Sequence, residues 1–181
     1  MDSMSIEKES FLQDIRQEEL HVVDFMKLWF KYDKNKDGYL QKNEMEDFLR
    51  EMLEKKGKVD RLEEYYKSCL SNFDLNHDGL IELREFALIV PVEKNYLEQF
   101  SESGAFTVEE YTKVFQHYDR DNNQYIEKEE LVSFLRDLRK TQDEEPTTTD
   151  LEVYKGFILQ CCDSNKDGRI SFTELKLLLV G

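Results

Sequence analysis

Residues 33–44, from Asp33 to Glu44, read DKNKDGYLQKNE. Asp33, Asn35 and Asp37 place side-chain oxygens at positions 1, 3 and 5 of this stretch, and Glu44 closes it at position 12. Gly38, at position 6, sits where the chain must turn sharply through a backbone conformation that penalises any residue with a Cβ. Tyr39 at position 7 offers a backbone carbonyl, and Gln41 at position 9 reaches inward directly or through water. Such a ring suits a hard divalent cation, which takes about six to eight oxygens in a flexible shell, two of them from the closing glutamate. A solvated Asn/Asp/Gly turn has the same composition, so one copy alone does not decide the matter.

The chain carries the pattern again. Asp74 to Glu85 reads DLNHDGLIELRE and Asp163 to Glu174 reads DSNKDGRISFTE. Asp119 to Glu130 reads DRDNNQYIEKEE, with Gln124 in the glycine position. Three full matches and one near match exclude a chance turn and identify EF-hand Ca²⁺ loops. By position the ligand set is Asp33, Asn35, Asp37, Tyr39, Gln41 and Glu44 in loop 1, and Asp74, Asn76, Asp78, Leu80, Glu82 and Glu85 in loop 2. It is Asp119, Asp121, Asn123, Tyr125, Glu127 and Glu130 in loop 3, and Asp163, Asn165, Asp167, Arg169, Ser171 and Glu174 in loop 4. Tyr39, Leu80, Tyr125 and Arg169 contribute carbonyls only.

At 181 residues, four helix-loop-helix units fill the sequence and leave no room for a catalytic domain. No nucleophile–base arrangement, phosphate loop or redox motif is present, so no enzyme is expected. The formal charge is −15, and 14 of the acidic residues stand at ligand positions. Four Ca²⁺ would add eight positive charges and bring −15 to −7. The acidity is therefore mostly site chemistry. Nucleic acid is not an expected partner, because the longest basic run is Lys55-Lys56-Gly57-Lys58. Cys69, Cys161 and Cys162 contain no C-x-x-C and read as reduced core thiols. The sequence shows no signal peptide, no apolar run long enough to span a membrane, and Asp2 where myristoylation requires glycine, so a cytoplasmic protein without stable membrane anchoring is expected.

The segments flanking each loop carry an apolar stripe at helical spacing. Phe25, Leu28, Trp29 and Tyr32 precede loop 1. Tyr66, Cys69, Leu70 and Phe73 precede loop 2, Tyr111, Val114, Phe115 and Tyr118 precede loop 3, and Ile158, Leu159 and Cys162 precede loop 4, with Tyr154 one residue out of step. The exiting helices repeat it with Met45, Phe48, Leu49 and Met52; Phe86, Ile89 and Val90; Leu131, Phe134, Leu135 and Leu138; and Leu175, Leu178 and Leu179. Position 8 is aliphatic in every loop (Leu40, Ile81, Ile126, Ile170), and a lone loop could not bury it. The expected fold is therefore all-α: four EF-hand units in two pairs, hand 1 with 2 and hand 3 with 4, each pair joined by a short two-stranded antiparallel β bridge.

The expected organisation is an N-terminal tail with a short helix (1–19), pair 1 (20–90), a linker with a short helix (91–106) and pair 2 (107–181). Asp60 with Glu63, Thr107 with Glu110 and Thr149 with Glu152 are expected helix caps. Pro91 is expected to stop the helix leaving loop 2. Residues 141–148 are polar, carry Pro146, and are expected to be the most mobile connector. A longer repeat is also present, because 9–15 (ESFLQDI) echoes 94–100 (KNYLEQF) at nearly the 86-residue spacing of Asp33 and Asp119. The two short segments are expected to cap a hand pair or its groove.

The stretches DFMKLWFKYD (24–33), FDLNHDG (73–79) and PVEKNYLEQF (91–100) resemble the calbindin, calretinin and secretagogin branch of EF-hand proteins, and the likeness covers nearly the whole chain from about residue 7. That branch carries six hands and this sequence four. The resemblance implies a cytosolic Ca²⁺ sensor, buffer or both. As a sensor the protein would reorient its helices on binding Ca²⁺ and expose an apolar groove to an amphipathic helix of a partner. As a buffer it would open little, and a constitutive regulatory subunit of an enzyme or channel is the third alternative. Only five methionines occur, which argues for few and specific partners. Whether Mg²⁺ occupies the loops at rest is left open by the sequence, since that ion needs a tighter octahedral shell and the loop pattern alone does not decide between the two. Gln124 must adopt a left-handed conformation, so loop 3 is expected to bind most weakly of the four.

Overall fold

The computed structural model describes residues 11, 13–15, 18–100, 106–139 and 145–180, with the side chains of 177–180 outside that description. The chain divides into two compact units, Met1–Val92 and Glu93–Gly181.

In unit 1, α1 (Val22–Tyr32) enters loop 1, β1 (Tyr39–Leu40) lies within it, and α2 (Lys42–Glu54) leaves it. A 3-10 turn (Val59–Arg61) leads into α3 (Leu62–Phe73), then β2 (Ile81–Glu82) and α4 (Leu83–Ile89). β1 and β2 pair antiparallel, Leu40 opposite Ile81, both buried as their aliphatic character requires. Beneath this bridge the Phe86 ring packs against Phe25, Trp29 and Phe48 at centroid distances of 5.7, 5.4 and 5.2 Å. All four rings are fully buried. Each comes from a different turn of the apolar stripes, so the helical period alone assembles the cluster.

Phe11 and Ile15 are also buried in unit 1. The Phe11 ring lies 5.6 Å from Tyr65 and 5.8 Å from Phe73, and the Asp14 carboxylate accepts from Lys58 Nζ at 2.6 Å and from the Tyr65 hydroxyl. The short segment thus covers the outer face of α3, as expected for a cap. Leu12 and most of the short helix expected within 1–19 lie outside the described residues.

Unit 2 repeats the plan. α5 (Val108–Tyr118), β3 (Tyr125–Ile126) and α6 (Lys128–Arg139) form hand 3. α7 (Thr148–Cys162), β4 (Ile170–Ser171) and α8 (Phe172–Val180) form hand 4. Ile126 faces Ile170 across the second antiparallel bridge. The echo of the N-terminal segment is a 3-10 turn, Tyr96–Phe100, rather than an α-helix. Asn95 caps its start: its Oδ1 accepts from Leu97 N–H at 2.9 Å and its Nδ2 donates to the Asp137 carbonyl at 2.7 Å. Phe100 is buried and the Tyr96 ring stacks on His117 at 3.7 Å.

Several local readings need correction. The caps at Asp60–Glu63 and Thr149–Glu152 do not form. α3 starts from a 3-10 turn with no side-chain cap, and α7 is capped two residues earlier, where Thr147 Oγ1 accepts from Asp150 N–H at 3.1 Å. Asp150 serves in the first turn as well as Glu would, so the earlier threonine is used. The Thr107–Glu110 capping box is present, and α4 ends just before Pro91. Cys69 and Cys162 are buried but Cys161 is exposed. The stripe on α7 is not a buried core face: Tyr154, Ile158 and Leu159 are only half-buried, and Val153 and Phe157 are exposed. Apolar residues surround this helix on several sides, so packing one side necessarily leaves another in solvent. Leu138 on α6 is also exposed. In the 141–148 connector, 141–144 lie outside the described residues, while Glu145 pairs with the buried Arg136 and Thr148 already belongs to α7.

Candidate metal centres

The four loops share one hydrogen-bond scheme. The position 1 carboxylate accepts from the N–H at position 6: Asp33 from Gly38 at 3.3 Å, Asp74 from Gly79 at 2.9 Å, Asp119 from Gln124 at 3.0 Å, Asp163 from Gly168 at 2.8 Å. The position 3 oxygen accepts from the N–H at position 5 at 3.1 Å in every loop. The position 5 oxygen accepts from the N–H at position 7, at 2.8–3.0 Å. These turns of Asx type curl each chain so that side chains 1, 3 and 5 line one concave face.

The closing glutamate is fixed from two sides. Its Oε1 accepts from the N–H at position 2: Lys34 to Glu44 at 3.1 Å, Leu75 to Glu85 at 2.8 Å, Arg120 to Glu130 at 2.9 Å, Ser164 to Glu174 at 3.0 Å. Its Oε2 accepts from the N–H at position 9, at 2.9–3.1 Å in loops 1, 2 and 4 and 3.4 Å in loop 3. That second contact is half of a capping box, for position 9 is the N-cap of the exiting helix and position 12 its third residue in loops 1 and 2. One glutamate therefore both starts the helix and faces the loop.

Carboxylates at positions 1 and 12 are buried in all four loops, whereas those at 3 and 5 stay near solvent. Burial pushes the Asp33 and Glu130 carboxyls up from their ordinary values. Burial acts the same way on Glu174, but the Ser171 N–H and hydroxyl and the Ser164 N–H outweigh it and hold that carboxyl low. Asp33 Oδ1 is buried without a hydrogen-bond partner among the described residues. A buried, unpartnered carboxylate oxygen facing other carboxylates is costly unless a cation completes it. The all-oxygen donor set, without thiolate or imidazole, fits a hard ion such as Ca²⁺. In loop 3, oxygens of Asp119, Asp121 and Glu130 all lie within 4.8 Å of one another. There position 3 is a third acid, where the other loops have Asn35, Asn76 and Asn165.

Backbone torsions separate loop 3 from the rest. Position 6 is left-handed in every loop, with φ of 88° at Gly38, 80° at Gly79, 71° at Gln124 and 78° at Gly168. Gln124 thus takes the strained conformation that the sequence requires of it. Lys128, at position 10 of loop 3, also has positive φ, at 48°, while its counterparts Lys42, Leu83 and Phe172 do not. This second kink accompanies the lengthened Glu127–Glu130 contact.

Two features at the sites escaped sequence reasoning. Arg169 was assigned only a carbonyl, yet its guanidinium lies over the Tyr125 ring and near acids of both loops in its unit. Arg136 is fully buried, paired with Asp137 and Glu145, while Tyr118 donates to Asp137 at 2.7 Å. Only its position on the inner side of α6, next to Leu135, could have signalled this.

The family model described as EF-hand domain pair matches residues 23–90 and 108–179, and the chain belongs to this family of calcium-binding proteins. Among its curated relatives, Calbindin-32 of Drosophila melanogaster is 37% identical over 87% of this chain and 54% of its own length. Secretagogin of Danio rerio is 34% identical over 96% of this chain and 66% of its own, and calbindin of Gallus gallus is 35% identical over 95% and 66%. These likenesses support the calbindin-like resemblance read from residues 24–33, 73–79 and 91–100. The chain spans between about half and two-thirds of the length of these relatives. A solved structure, caltubin from the great pond snail, is 18% identical, covers 88% of this chain and 97% of its own, and has a TM-score of 0.32.

Proposed function

We propose that the chain binds up to four Ca²⁺ through the twenty-four positions named above and acts as a Ca²⁺ sensor whose unit 2 engages an amphipathic helix of a protein partner. Side-chain oxygens at positions 1, 3, 5, 9 and 12 and the carbonyl at position 7 hold each ion. Loop 3 is the weakest site, and Mg²⁺ competes at rest. The observation that carries the sensor reading is the outward face of α7. Phe157 and Val153 are 60% and 65% exposed there, at offsets from the loop where α3 of unit 1 has Ser68 and Glu64. Large apolar groups held in water on a helix that enters an ion loop are suited to a partner's apolar face.

A second reading, a buffer that opens little, is favoured in unit 1. There Phe11 and Ile15 are buried, and the Phe11 ring packs on Tyr65 and Phe73 of α3, so that apolar surface is already covered. No helix among the described residues is long and apolar enough to cross a membrane. Fluorescence of an apolar-surface dye, titrated with Ca²⁺ against a Mg²⁺ background, tests the choice. The sensor reading predicts a large rise that Mg²⁺ does not mimic and that Phe157→Glu abolishes. An unchanged signal while Ca²⁺ fills the loops would establish the buffer instead.

A further inference from the structure

Arg169 stands at position 7 of loop 4, and its side chain crosses to loop 3. The guanidinium carbon is 4.2 Å from the centroid of the Tyr125 ring, position 7 of loop 3. Nη2 is 3.4 Å from Asp167 Oδ2, the position 5 acid of loop 4. Nε is 3.7 Å from Glu127 Oε2, the position 9 acid of loop 3, whose other oxygen is 3.4 Å from Lys128 Nζ. One planar cation thus touches acids that the two loops need for two different ions. The β bridge places it there, since Tyr125 is directly opposite Ser171. Among the described residues unit 1 has nothing equivalent: position 7 of loop 2 is Leu80, and Glu82 is paired within its own loop, with Arg84 Nε at 3.0 Å.

We propose that Arg169 is a positioning residue that couples ion binding in loops 3 and 4 and lowers the affinity of both. In the metal-free unit its charge offsets the mutual repulsion of Asp167 and Glu127. A divalent ion in loop 4 takes Asp167 and repels the guanidinium. The stack on Tyr125 keeps the displaced guanidinium on the loop 3 side, where Glu127 is its remaining partner. Filling loop 4 therefore makes Glu127 less available and delays loop 3. The inference rests on ion binding by these loops and assigns an order within it: loop 4 first, loop 3 second.

The test is a Ca²⁺ titration of the full chain and of Arg169→Leu, followed by amide NMR. The Gly168 and Gln124 N–H groups, which donate to the position 1 acids of loops 4 and 3, report each site separately. Trp29, the only tryptophan, reports unit 1 as an internal control. Exposed ion pairs of this kind are weak, so Arg169→Leu is expected to tighten both sites of unit 2 by only about 1.5- to threefold. The gap between the Gly168 and Gln124 transitions narrows, and unit 1 does not change. Arg169→Lys, which keeps the charge and loses the planar stack, falls between. Because the effect is electrostatic, the difference between parent and Arg169→Leu shrinks at about 1 M salt, where the screening length is about 3 Å; a loss of packing would persist. Superimposable titrations of parent and Arg169→Leu, or weaker binding by the variant, overturn the proposal. If the parent's Gly168 resonance does not respond to Ca²⁺, the ion-binding reading itself fails, which is a separate outcome.

Discussion

Gln124→Gly isolates the cost of one backbone angle. Gln124 is held at φ 71°, among glycines at 78–88° in the same position of the other loops. A Cβ built on Gly79 or Gly168 meets nothing within 4 Å, so the penalty at this position is torsional rather than steric. A non-glycine residue in this region costs on the order of 1 kcal/mol. The closed, ion-loaded loop bears that strain. To the extent that the metal-free loop relaxes it, the substitution raises Ca²⁺ affinity, by at most about fivefold. Whatever the metal-free loop retains appears instead as stability, so the ion-saturated unit 2 gains about 1 kcal/mol in either case. Lys128 keeps its own left-handed angle, so the variant should approach loop 4 without matching it. Calorimetric titration and melting in saturating Ca²⁺ read the two parts, and Gly168→Gln should impose the same loss on loop 4. If Gln124→Gly changes neither affinity nor ion-saturated stability, the strain argument for a weak third loop is wrong.

Glu85→Gln removes the charge that Leu75 and Glu82 N–H groups hold in place. It should weaken loop 2 by about a hundredfold or more, leaving it empty at Ca²⁺ concentrations that just fill the parent, while the others titrate normally, because two hydrogen bonds to a charged group, worth about 1.5–3 kcal/mol each, and the charge itself are lost. Phe86→Ala empties the centre of the ring cluster in unit 1 and should cost about 3–5 kcal/mol there, read from Trp29 fluorescence on denaturation. The Asp14 carboxyl is held below its usual value by hydrogen bonds from Lys58 and then Tyr65. Its stabilising contribution is thus present above the ordinary carboxylate range and is lost as pH falls through the lowered value. Asp14→Asn should loosen the Phe11–Ile15 cover at neutral pH, raise apolar-dye binding by unit 1, and remove that acid-dependent step.

The loops and their pairing were legible because the chemistry of a hard cation dictates residue types at fixed spacing. The aliphatic residue at position 8 likewise required a partner, and Leu40 with Ile81 and Ile126 with Ile170 supply it. Gln124 announced its strain because only glycine is neutral at that angle. What was not legible depends on what faces what across different elements. Nothing in the spacing says that Asp14 reaches Lys58, that Arg136 is buried, or that Arg169 crosses the bridge. The cap of α7 was misplaced because Thr147, Thr148 and Thr149 are chemically equivalent starts, and the connector geometry picks among them. The stripe of Tyr154, Ile158 and Leu159 is only half-buried, and the exposure of Val153 and Phe157 was not legible, because α7 has apolar residues on several sides and periodicity does not say which side packs.

The central claim is that four loops each hold one Ca²⁺ through a closing glutamate. Counting bound ions by native mass spectrometry at the lowest Ca²⁺ concentration that fills the parent tests it most directly, on the parent chain and on Glu44→Gln, Glu85→Gln, Glu130→Gln and Glu174→Gln. The account predicts four ions in the parent, three in each variant, and loss of the weakest ion in Glu130→Gln. A parent that saturates below four, or a variant that keeps the parent's count, would contradict it.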